Sequence, residues 1–249
     1  MNILVCISSV PDTTSPVNFN NDNSNFDTSG ITFIINPYDE FCLTKAIFIK
    51  EKTGASITVL NIGTQNSDAV LRKALAIGAD KAVRINKEPS DSRIVSDLIA
   101  DYCTKNVFDL IFCGRESIDY NGGKVPGFLA EKLDLPFING CIGMEINGST
   151  IETKREIDNG YEVCISSTPT LIAGQKGLVE EKDLKIPSMR GIMTARTKPL
   201  EVIEPNIECQ EKVEIVNFEK PLGRSECKFI NDNEVEKLVD LLTNEAKVI

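Results

Sequence analysis

Residues Phe108–Leu133 read FDLIFCGRESIDYNGGKVPGFLAEKL. An apolar strand pattern, Phe108–Cys113, runs into a polar loop holding Asn121-Gly122-Gly123, and a helical pattern follows over Gly123–Leu133. The same strand-then-helix unit recurs upstream. Further strands are expected at Ile3–Ile7, Ser56–Ile62, Lys81–Ile85 and, downstream, Pro169–Ala173. Helices are expected at Tyr38–Lys52, Ser67–Ile77 and Asp91–Lys105, the second stopped by Gly78. Such alternation means βαβ units, so the fold class is α/β with a doubly wound, mostly parallel, Rossmann-like sheet.

Beyond Leu133 the period changes. Ile142–Ile146, Ile151–Ile157 and Tyr161–Ile165 alternate apolar and polar residues around Asn147-Gly148 and Asp158-Asn159-Gly160 turns. These dipeptides supply the positive φ that tight hairpins need, so an antiparallel hairpin region is added to the sheet. From about Pro199 the chain turns polar and irregular and closes on an amphipathic helix, Asn233–Ala246. The division expected is 1–198 as the α/β domain, with a partner-docking loop at 182–198, and 199–249 as a C-terminal arm. So thin a tail must pack on the core or on a partner.

Composition removes several classes of function. The chain has 249 residues, no His, no Trp and eight Cys, with a net charge of −10. Without His there is no Ser-His-Asp triad, Cys-His dyad or HExxH zinc site. The acidic balance argues against nucleic acid and anionic membranes as partners. The longest uncharged stretches fall short of the roughly 18 apolar residues of a membrane span. The opening MNILVCISSVPD reads as a first strand and not a signal peptide, so the expected compartment is the cytoplasm. The cysteines, at 6, 42, 103, 113, 141, 164, 209 and 227, form no CxxC pair and mostly sit in apolar runs. Reduced, buried thiols are expected, with no metal site.

In an open parallel sheet, ligands bind at the carboxyl ends of strands near the point where strand order reverses. Two loops there hold the informative residues. In Gly114–Pro126, two glycines permit close backbone approach, exposed helix N–H groups favour an anion, and Lys124 adds charge; the alternative is simple helix capping. In Ile35-Asn36-Pro37-Tyr38-Asp39-Glu40, Asn and Pro make a strong helix start. Its acids suit a ribose, base or flavin edge better than a phosphate, and here too plain capping is the alternative. The stretch Lys182–Lys198 carries five basic residues and one acid, net +4, which leaves −14 for the rest. Its Ile186, Met189, Ile192 and Met193 either form an exposed docking patch ringed by cations or return to the core.

Taken together, ILVCISSVPDT, INPYDEFCLTKA, ALAIGADKAVRI, GRESIDYNGGKVPGFLAEKL, KREIDNG and IPSMRGIMTARTKPLEV resemble the β subunits of electron transfer flavoproteins, in their order and spacing. The resemblance implies a heterodimer with an α subunit that holds the redox-active FAD, and an AMP or a second FAD in the β subunit. It implies that the chain has no catalytic residue and exchanges electrons with flavoprotein dehydrogenases, such as acyl-CoA dehydrogenases, and an acceptor such as a quinone oxidoreductase. The implied nucleotide pocket comprises Cys6, Asn36, Pro37, Tyr38, Asp39 and Ile62, with Asp119, Asn121, Gly122, Gly123, Lys124, Val125 and Pro126 from the phosphate loop. Position 124 is Lys where the family usually has Gln, and 121 is Asn where it has Asp. The implied docking anchor is Met189, with Lys185, Arg190, Arg196 and Lys198 around it. Two competing readings are a stand-alone adenine-nucleotide module of universal-stress-protein type and a related nucleotide hydrolase or ligase. The first needs neither the basic loop nor the tail; the second wants a longer phosphate loop and a catalytic base.

Overall fold

The computed structural model describes residues 1–207, 211–223 and 226–249. It contains two compact units, Met1–Asn18 with Asp27–Ile215, and Phe19–Phe26 with Val216–Ile249.

The first unit is built on a sheet of nine strands. In chain order its strands are β1 (Asn2–Cys6), β4 (Ser56–Gly63), β5 (Lys81–Asn86), β6 (Leu110–Gly114), β7 (Phe137–Asn147), β8 (Thr150–Ile157), β9 (Gly160–Ser167), β10 (Thr170–Gly174) and β11 (Leu200–Ile203). A separate antiparallel ribbon joins β2 (Ser9–Pro11) to β3 (Phe33–Ile35). The spatial order is β11-β5-β4-β1-β6-β10-β7-β8-β9, parallel from β11 to β7 and antiparallel from β7 to β9. Helices α1 (Pro37–Thr53) and α2 (Asp68–Ile77) cover one face. The other face carries α3 (Ser92–Lys105) and α4 (Val125–Leu133).

Alternation along each strand explains the two cores. Ile3, Val5, Leu110 and Phe112 face α1 and α2, whereas Leu4, Cys6, Ile111 and Cys113 face α3 and α4. A strand covered on both faces reads as an unbroken apolar run, which is why these segments stand out in the sequence. The order in which strands are added reverses between β1 and β6. From β1 the chain steps by way of α1 to β4 and β5, and from β6 by way of α4 to the opposite side. The carboxyl ends of β1 and β6 therefore bound the crevice of the fold.

Three segments depart from expectation. Leu200–Ile203 pairs in parallel with β5 as an edge strand, although the chain from Pro199 reads as irregular. It has four residues, three apolar ones around Glu201, and one main-chain ladder, too short a signal to stand out. Within the expected loop 182–198, Met189–Ala195 forms a short helix, α5. The expected helix Asn233–Ala246 is α6 (Val235–Asp240) continued by a π-helical turn, Leu241–Ala246. In this second unit Phe19 stacks on Phe218 at 5.0 Å, Lys228 pairs with Glu245 at 2.6 Å, and Val235, Leu238 and Val239 are exposed.

The seven described cysteines are free: Cys6, Cys42, Cys113 and Cys141 are buried, Cys103 and Cys164 half-buried, and Cys227 is exposed. Cys209 lies outside the described residues. Among the described residues no helix is long and apolar enough to cross a membrane. Phe112, on the middle strand, is the largest fully buried side chain among the described residues. Phe112→Ala is expected to cost about 3–5 kcal/mol in urea denaturation, because the surrounding sheet cannot collapse into the space.

Candidate functional site

Asp39 organises the crevice. It stands in the first turn of α1 and is 2% exposed. Its Oδ2 accepts the Ser8 N–H and its Oδ1 the Gly114 N–H, each at 2.7 Å. The carboxylate thus ties the loop after β1 to the end of β6. Burial pushes its pKa up to about 7, against the opposing pull of the two amide donors. Gly114 has to be glycine, since a Cβ there would meet Asp39 Oδ1 and, at 2.8 Å, Tyr38 Cβ.

Asn36 makes a second tie. Its main chain begins α1, but its side chain does not cap that helix. Instead Nδ2 donates to the Glu116 carbonyl at 2.8 Å, and Oδ1 accepts the Ile118 N–H at 3.3 Å. Asn36 and Asp39 thereby do more than start a helix: both reach across to the loop after β6. Glu40, the other acid of this turn, is paired with Lys73 at 2.7 Å.

The loop after β6 folds back on itself through a bridge between Ser117 and Gly122. Asp119 accepts from the Ser117 hydroxyl and from the Tyr120 N–H, so its carboxylate shapes the loop. Asn121 takes a left-handed conformation, φ 50°. A Cβ on Gly123 would lie 3.1 Å from the Arg115 carbonyl, whereas one on Gly122 would meet open space. The N-cap of α4 is Lys124, exposed, and no side chain caps this helix end. Asn121 is therefore no cap, and the first-turn N–H groups of α4 beside Gly122, Gly123 and Lys124 suit an anion.

The structure brings Asn36, Tyr38, Asp39 and the loop 119–124 to one end of the sheet. The side chains of Cys6 and Ile62 lie in the core under α3 and α4. A hydrogen bond with Cys113, and then burial, push the Cys6 thiol well above its ordinary range, so it is a packing group. Pro126 is buried in the first turn of α4. Four residues of this region escaped the sequence reading: Ser8, Asn61, Arg115 and Gln175. Asn61 donates to the Ile7 carbonyl at 2.8 Å, and its buried Oδ1 has no partner. Polar residues closing otherwise apolar strands were the available signal.

The basic segment 182–198 presents Ile186, Met189, Ile192 and Met193 to solvent, with Ile186 and Met189 81% and 79% exposed. Of the two readings, return to the core is excluded. Ser188 caps α5 through the Gly191 N–H at 3.0 Å. Gly191 packs so closely on α2 that a Cβ would strike the Ala76 carbonyl. Arg72 donates to the Ala195 and Lys198 carbonyls, both at 2.8 Å. Arg190 and Arg196 are exposed. Lys198 is spent differently: its ammonium donates to the Leu75 and Ala79 carbonyls at the end of α2, and burial lowers its pKa. Lys185 pairs with Glu51 at 2.8 Å and lies over the Phe48 ring. These two lysines fasten the segment.

A doubly wound α/β protein with a crevice at its switch point is the class that the geometry defines. Residues 24–208 match the family described as electron transfer flavoprotein domain. The chain is 36% identical over 233 residues to the electron transfer flavoprotein subunit beta of Bacillus subtilis, covering 88% of this chain and 90% of that one. It is 30% identical over 253 residues to the subunit beta of Syntrophomonas wolfei, covering 100% and 98%. It is 32% identical over 213 residues to the acryloyl-CoA reductase electron transfer subunit gamma of Anaerotignum propionicum, covering 82% and 78%. The chain belongs to the electron transfer flavoprotein family. Membership carries an electron-carrying role with a flavin in the complex, and the likeness to β subunits implies an α-subunit partner.

The pKa of Asp39 sets a pH test. Its folded value lies above its ordinary 3.8, so between about pH 4 and 7 the folded chain holds a proton that the unfolded chain has released. The stability this group contributes is full below pH 4 and declines as pH rises through 7. Asp39→Asn sets an NH₂ against one of the two amide donors and is expected to cost about 1–3 kcal/mol. In urea denaturation its deficit relative to wild type should be larger at pH 5 than at pH 8. A pH-independent deficit would show that Asp39 does not titrate in this range.

Proposed function

We propose that this chain is the β subunit of a heterodimeric electron transfer flavoprotein. Its crevice holds an adenylate, as AMP or as the adenylate half of a second FAD, and its exposed basic helix meets flavoprotein dehydrogenases. The observation that carries the reading is the uncapped start of α4, with Gly122, Gly123 and Lys124 around it, at the switch point tied by Asn36 and Asp39.

The residues present fit a nucleotide. Open space at Gly122, the Val125 and Gly127 N–H groups in the first turn of α4 and the exposed Lys124 charge suit an anion. Tyr38 and Asn36 border the same crevice and would meet the nucleoside part. A flavin bound in the complex supplies the electron-transfer chemistry. This chain orients the nucleotide through its strand ends and excludes water beneath it with the buried Asn36 and Asp39. No proton transfer by this chain is required.

For redox partners, Met189, Ile186 and Met193 offer adaptable apolar contact, while Arg190 and Arg196 steer an acidic surface. Such small, charged contacts suit brief encounters. The relative named for acryloyl-CoA reductase favours acyl-CoA-oxidising or acyl-CoA-reducing flavoenzymes as the partner class. The cytoplasm is the compartment that fits these partners.

Co-expressed with an electron transfer flavoprotein α subunit, the chain is expected to copurify as a yellow heterodimer. Denaturation should release FAD with equimolar AMP from a simple carrier, or two equivalents of FAD without AMP from an electron-bifurcating complex. A colourless chain that never captures an α subunit and releases no nucleotide would refute the reading. In the same complex, Met189→Ala is expected to slow reduction by an acyl-CoA dehydrogenase several-fold, as loss of a central apolar contact does, while leaving the flavin spectrum unchanged.

A further inference from the structure

The chain has four methionines, and the fold treats them differently. Met144 lies in the core on β7, 6% exposed, and Met1 begins the chain. Met189 and Met193 stand one turn apart in α5, 79% and 71% exposed. Residues four apart share a helix face, so the two thioethers lie side by side. They cannot turn away from solvent. At about 100° per residue, Gly191 and Ala195 fall on the opposite side of the helix. That side is fixed: Gly191 lies too close to the Ala76 carbonyl to carry a side chain, Ala195 is buried, and Arg72 holds the Ala195 carbonyl at 2.8 Å.

A thioether and a thiol meet an oxidant on different terms. A thiol reacts as its thiolate, and burial pushes Cys103 up to about 12 and Cys141 up to about 11, so neither ionises near neutral pH. A thioether needs only access. Hydrogen peroxide passes one oxygen atom to the sulfur: the O–O bond breaks, an S–O bond forms, the sulfur gives up two electrons and water leaves. The product is a sulfoxide, polar where the thioether was apolar.

Resting on the docking reading above, we infer that Met189 and Met193 form a peroxide modification site, at which oxygen transfer disconnects the carrier from its dehydrogenase. A sulfoxide inside a packed apolar contact gives up water without gaining a matched donor, so the encounter weakens. The ties that order α5 run through Arg72, Gly191 and Lys198, and oxidation leaves them intact. The change is therefore confined to the docking face. Methionine sulfoxide reductases return the thioether, so the step is reversible.

The test uses the heterodimer with an electron transfer flavoprotein α subunit, treated with hydrogen peroxide and freed of it before an acyl-CoA dehydrogenase is added. Peptide mass spectrometry is expected to find sulfoxide at Met189 and Met193 forming at least about 10-fold faster than at Met144. Reduction of the carrier at limiting concentration should slow about 10-fold, the effect of one polar group left unmatched in a contact. Methionine sulfoxide reductase should restore the starting rate. The double variant Met189→Leu with Met193→Leu keeps an apolar surface that cannot take up oxygen. Whatever its own starting rate, peroxide should leave that rate unchanged. Sulfoxide at both positions without loss of rate would overturn the proposal. Equal slowing of the double variant would also overturn it, by placing the damage on thiols, flavin or the α subunit, and so would oxidation of Met189 and Met193 no faster than that of Met144. The docking reading is tested separately, by Met189→Ala in untreated protein: a rate that falls there but not after peroxide removes this inference alone.

Discussion

Asp39 takes the amide hydrogens of Ser8 and Gly114 together, and those amides belong to the two strand ends between which the strand order reverses. A parallel sheet is held along its length by ladders, but its carboxyl ends splay into loops with no ladder between them. Here one carboxylate joins two of those ends, and Asn36 joins the second of them to the following loop. The arrangement demands burial of a charge, a glycine at 114 and a helix start that places positions 36 and 39 on the crevice side. Each of these is met, and the shape of the crevice depends on all of them.

The fold was largely legible in the sequence because its strands are covered on both faces. Runs such as Ile3–Ile7 and Leu110–Cys113 could hardly be anything else, and the Asn-Gly turns set the hairpins. The edge strand Leu200–Ile203 was not legible, since four residues carrying Glu201 among apolar neighbours look like many coils. The loops of the site were legible in place but not in action. Asn36 has the residue type and position of a helix cap, and only the return of the loop after β6 shows that its side chain is used elsewhere. Gln175 was invisible for the same reason: its partners Arg115 and Glu156 are 60 and 19 residues away in the chain.

The basic segment shows how composition alone can misassign charge. Its five cations form a uniform group in sequence, but the structure divides their labour. Lys198 closes the end of α2, Lys185 is paired with Glu51, and Lys182, Arg190 and Arg196 are exposed. The apolar residues follow the same logic. Gly191 presses onto Ala76 and thereby turns Met189 and Met193 outward. A helix of seven residues cannot hold itself together in water. Its order comes from Arg72 and Lys198, which bind it to α2, so the exposed methionines stand on borrowed rigidity.

The strand order has a consequence for how the chain is made. On one side β1 pairs with β4, which is soon synthesised; on the other it pairs with β6, and the contact between Asn2 and Asp109 spans 107 residues. During synthesis β1 therefore waits with one edge open while α1, β4, α2, β5 and α3 are added. That edge is apolar, the kind that captures foreign strands. The β1–β6 seam that bounds the crevice thus stays open until residues 110–114 have been made, and β10 and β11 join the sheet later still.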